Sequence, residues 1–180
     1  MLIAQEKRKE NIIEYLLYMY QVEDTIRACS FDISLIEQRI IDQFKVSDKV
    51  KTEVKNWYVD LIVMMHQEKI KDNGHLKMLE TLVDNLNKLH FWLLEKKKDK
   101  KYIEQYLIAL PNIQAFNSKL NKKSRNEIDS CVTGLYALLL LKLQKKKISE
   151  GTLDAMQTFS NLLASLAGWY KIIDEKVKDL

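Results

Sequence analysis

Apolar residues recur at spacings of three and four along almost the whole chain, the period of helices with one face turned inward. In the first stretch Ile12, Tyr15, Leu16, Met19, Val22 and Ile26 fall on one broad arc, which predicts a single long helix from Ile3 to Cys29. Asp32 offers an N-cap for a shorter helix to about Phe44, with Leu35, Ile36 and Ile40 inward, and Ser47 one for a third helix. There Val50, Val54, Trp57, Leu61, Met64, Met65 and Glu68 share the inner arc, and Asn73-Gly74 marks the end. A fourth helix spans about His75 to Lys97, with Leu79, Leu82, Val83, Leu86, Leu89, His90 and Leu93 inward.

The fifth helix begins near Lys100 and meets Pro111, whose missing N–H and ring clash predict a kink or break, giving pieces 100–110 and 111–120. Ser124 and Glu127 stand at capping-box spacing ahead of an apolar run, the clearest helix start in the chain. Between Cys131 and Leu143 that sixth helix, about 125–147, is apolar on every face, which predicts that it lies at the centre of the bundle. Ser149 caps the last helix, with Met156, Phe159, Leu163, Leu166, Tyr170, Ile173 and Val177 inward. Six to seven helices, mostly antiparallel, in one all-α domain over residues 1–180 follow from this pattern.

Composition sharpens that reading. Only four glycines and one proline punctuate 180 residues, far fewer than a β-rich chain needs for its turns. Apolar residues at 47% and charged ones at 30% give a chain that folds on its own. The net charge of +4 is small and interspersed, and arginine, the favoured reader of phosphates and guanine edges, occurs only at 8, 27, 39 and 125, which counts against nucleic acid as a partner. Cys29 and Cys131 have no CxxC spacing and point to free thiols in a reducing compartment. The N-terminus has no secretory pattern and the uncharged run 130–141 is too short to span a bilayer, so a soluble cytoplasmic chain is expected.

The opening residues MLIAQEKRKENIIEYLLYMYQVEDTIRAC, on a helical chain of this length, resemble a family of uncharacterised bacterial proteins classed as a domain of unknown function. The resemblance is strongest over roughly the first 30 residues. It implies an all-helical fold and a bacterial cytoplasmic setting, and carries no activity, cofactor or catalytic residue with it.

Candidate chemistry is sparse. No GxGxxG, Walker A loop, HExxH, GxSxG or EF-hand loop occurs, and no glutamate is followed by histidine at the spacing of a di-iron bundle site, so no metal or cofactor is expected. His66 falls off the inner arc, His75 sits in a turn and His90 lies inward, so the three do not converge.

The strongest anomaly is Glu23, which at about 100° per residue falls between Ile12 and Leu16 on the apolar arc, with Arg27 one turn later. A semi-buried ion pair is the structural reading, and a polar ligand pocket shared with Glu68 the functional one. Tyr15, Tyr18 and Tyr20 beside it read as core packing or a pocket wall. Ser160, Ala164 and Gly168 form a strip of small residues that predicts a close internal contact, and lysines at 96–98, 100–101, 122–123 and 145–147 gather at helix ends.

Three functions are compatible with this pattern. The first is a non-enzymatic module that binds another protein or a second copy of itself. The second is a small-ligand protein or enzyme centred on Glu23, Arg27 and Glu68, and the third a binder of anionic polymers through a lysine-rich pole.

Overall fold

The computed structural model describes residues 2–120 and 123–178, with side chains over 3–120 and 123–175. Eight α-helices are found there and no strand: α1 Leu2–Glu10, α2 Ile12–Ala28, α3 Ile33–Arg39, α4 Asp48–Gln67, α5 Lys77–Trp92, α6 Lys100–Lys119, α7 Glu127–Leu143 and α8 Glu150–Lys178. A 3₁₀ turn, Ile41–Gln43, follows α3, and a π turn, Leu93–Lys97, closes α5. Lys98 then adopts a left-handed conformation, and Asp99 accepts from the Tyr102 amide at 2.8 Å to start α6.

The additional helix arises at Asn11, where one long helix was expected. Asn11 is extended, and its side-chain oxygen accepts from the amides of Ile13 and Glu14, so it caps α2 and separates it from α1. Pro111, in contrast, does not break α6. The helix continues through it to Lys119, and Leu107 and Ile108 in the preceding turn are exposed. The start of α7 is also corrected. Asn126, not Ser124, is the cap, accepting from the Asp129 amide at 2.9 Å. The third predicted helix ends six residues early, at Gln67, with Lys69 and not Gly74 in the left-handed position just past its end.

Two layers pack around one core. Helices α2, α5, α6, α7 and α8 form the main bundle, in which α7 and α8 each touch the other four, while α4 packs on α2 and α3. α7 is enclosed from Ile128 to Tyr136 but not beyond, since Leu138 to Leu140 are half-buried and Leu141 and Leu143 exposed. The apolar run therefore overstated its burial. The small strip on α8 is outward: Ala164 and Gly168 are exposed, because Phe159, Leu162, Leu163 and Leu166 fill the buried side. Close approach occurs at Gly134, where an added Cβ would lie 2.9 Å from the Phe159 ring. Val177, expected inward, and Lys122 of the lysine run lie outside the described side chains. Among the described residues no helix is long and apolar enough to cross a membrane.

Candidate functional site

Glu23 is fully buried, as its place on the apolar arc required. Its partner is not Arg27. One carboxylate oxygen lies 2.6 Å from Nδ1 of His75 and the other accepts from the Leu76 amide at 2.8 Å. The ring of His75 is stacked on Tyr20, centroids 3.5 Å apart, and Tyr20 meets Tyr136 edge-on at 5.6 Å. Burial raises the Tyr20 phenol well above its usual range, so it stays protonated.

Arg27 serves the same segment from one turn further on. Its guanidinium donates to the carbonyls of Ile70 (3.1 Å) and Gly74 and pairs with Asp24 at 2.9 Å, while Tyr136 donates to the second Asp24 oxygen at 2.7 Å. Glu68 is exposed just past the end of α4, and not on an inner arc, because the helix stops at Gln67. Its Oε2 accepts from the Lys77 amide at 2.6 Å, the first amide of α5. Glu23, Arg27 and Glu68 are thus brought to one neighbourhood, and each bonds the backbone of 70–77, Glu23 also the His75 ring and Arg27 also Asp24, while Arg27 Nε is buried without a partner. The arrangement fastens the α4–α5 connection to α2, and Glu23 does not line any of five surface clefts of about 200–490 Å³.

A second polar cluster lies where α5, α6 and α7 meet. His90 and Tyr102 are both fully buried, with Nδ1 of His90 and the Tyr102 hydroxyl 2.7 Å apart. His90 Nε2 faces Glu127 Oε2 at 3.3 Å, within ion-pair range but off the alignment of a directed hydrogen bond, and Tyr106 donates to the other Glu127 oxygen at 3.2 Å. The imidazole of His90, helped by the Tyr106 hydroxyl, holds Glu127 below the usual carboxylate range against the opposing effect of burial. Burial, with the Glu127 charge beside it, pushes Tyr106 up to about 12. The order hydroxyl, imidazole, carboxylate has the form of a nucleophilic triad. Its hydroxyl end, however, is closed to solvent at Tyr102 and offers no place for a substrate.

The histidines behave as three separate residues: His66 is exposed against the ring of Phe31, His75 belongs to Glu23 and His90 to Glu127. Tyr15 and Tyr20 are buried in the core beside Glu23, Tyr18 is half-buried, and Cys29 and Cys131 are free and buried. Sequence reading missed His75 as the partner of Glu23, since 52 residues separate them and a turn histidine carries no periodic signal. It also missed the Glu127–His90 contact.

A family model matches residues 1–176, almost the whole chain. The chain belongs to the domain of unknown function DUF4924. No curated protein and no solved structure matches it. Family membership agrees with the resemblance of the opening residues and extends it over the entire bundle.

Proposed function

We propose that this DUF4924 chain is a non-enzymatic interaction module that associates with a second copy of itself through the outer face of α6. One observation carries the reading. Leu107 and Ile108 are 58% and 62% exposed, and Pro111 and Ala115 lie on the same face at spacings of three and four. Ala115 also lines a groove with Phe116, Leu138 and Leu141, with Asn112 and Lys119 beside them, so apolar surface is also present where α6 meets α7. A net charge of only +4 opposes self-association weakly. No cofactor is needed, and a bacterial cytoplasm is the setting the opening residues imply.

The alternative, a ligand site formed by Glu23, Arg27 and Glu68, is the weaker proposal because both oxygens of Glu23 and both terminal nitrogens of Arg27 already have partners within the chain. Binding of anionic polymer by the exposed lysines at 96–98 and 145–147 has no second feature in its favour.

An isologous seam brings equivalent residues of two copies together near its axis. Single cysteines at Ile108 or Ala115, oxidised at micromolar concentration, should give a covalent dimer, while a cysteine at the exposed Ala164 should not. Cys29 and Cys131 are buried and do not compete. Equal cross-linking at all three positions, or none at any, overturns the proposal.

A further inference from the structure

Between α1, α2, α4 and the start of α5 lies a cleft of about 200 Å³ that the α6 face does not reach. Met19, Met64 and Met78, half of the six methionines in the chain, come to it from three different helices, with Trp57 and Leu61 completing an apolar floor. Methionine thioethers are flexible and polarisable, and such a lining moulds itself to apolar groups of varied shape. Met78 is 43% exposed, so the floor is open to solvent.

Arg8 stands at the rim. Its guanidinium lies 5.7 Å from the centroid of the Tyr15 ring, which also lines the cleft. Three thioethers would suit a soft metal cation, but a guanidinium beside them repels one. The same charge favours an anion. Arg8 and Gln5 are shared with an adjoining cleft of about 490 Å³, so a ligand longer than the methionine pocket has room to continue.

We propose that this cleft binds a small amphipathic carboxylate, its apolar end against Met19, Met64 and Met78 and its carboxylate on Arg8. This inference is independent of self-association, since it uses other helices and a different face.

Octanoate tests it, with octanamide as the uncharged counterpart, on the full chain labelled with ¹³C at the methionine methyl groups. Leucine substitutions assign the signals. Octanoate should shift the methyls of Met19, Met64 and Met78 saturably while leaving Met156, buried between α7 and α8, unmoved. Octanamide, and octanoate on Arg8→Gln, should each bind on the order of tenfold more weakly, as loss of a charge-assisted hydrogen bond requires. Arg8 is exposed, so the variant keeps the fold. Absence of a saturable shift at the three methionines, equal affinity for octanamide, or an unchanged affinity in Arg8→Gln would each overturn the proposal.

Discussion

Glu23 shows how a single buried charge is made tolerable. A carboxylate without solvent is costly unless its oxygens are occupied, and here both are, by an imidazole and an amide of the same short segment. Glu23→Ala leaves the Leu76 amide and His75 without that partner and should cost about 2–4 kcal/mol in urea denaturation. A double-mutant cycle should give a larger coupling between Glu23 and His75 than between Glu23 and Arg27, because Arg27 is bonded elsewhere. The burial of Glu23 was legible from its angle on the helix. The identity of its partner was not, since Arg27 is near in sequence and His75 is brought close only by the path of the α4–α5 connection. Glu127 carries the other testable charge. Its carboxyl titrates below the ordinary value of 4.5, so the stability it adds is complete above that value and is lost as pH falls through the lower folded value. Glu127→Gln should therefore flatten the acid limb of stability against pH below about 5, leaving the slope above it unchanged. An unaltered acid limb would show that the His90 contact does not hold the charge in solution.

At the scale of elements, periodicity located the helices, and side-chain chemistry at single positions decided their ends. Asn11 reads as a mid-helix polar residue until its side-chain oxygen is seen to cap two amides, and Pro111 reads as a breaker until the exposed turn before it is seen. The apolar run of α7 could not reveal that its last turns are only half-buried or exposed. Glycines were equally ambiguous: Gly168 belonged to the strip expected to pack, whereas Gly134 makes the close contact. Gly134→Ala should cost about 1–3 kcal/mol, because a Cβ 2.9 Å from the Phe159 ring must displace a fully buried aromatic that is itself edge-on to Phe116. Gly168→Ala, in open space on an exposed helix face, should stabilise by about 0.5–1 kcal/mol. Thermal denaturation of the two variants side by side checks both signs, and equal effects would mean that α7 and α8 are not packed as described.

For the whole molecule, the distribution of polar groups separates what is closed from what is available. The two polar clusters centre on the buried Glu23 and His90 and tie the α4–α5 connection and the α5–α6–α7 junction together. The outward features are the apolar face of α6 with its groove and, on other helices, the methionine cleft beneath Arg8. Helical periodicity reveals neither, since it places Met19 and Met64 on inner arcs and does not mark Leu107 and Ile108 as exposed. The most direct test of the central claim is sedimentation equilibrium of the native chain and of Ile108→Lys over a hundredfold range of concentration. The native chain should fit a monomer–dimer equilibrium at micromolar concentration and Ile108→Lys should remain a monomer with its helical content unchanged. A native chain that is monomeric throughout, or a variant that dimerises as well as the native chain, would contradict self-association through α6.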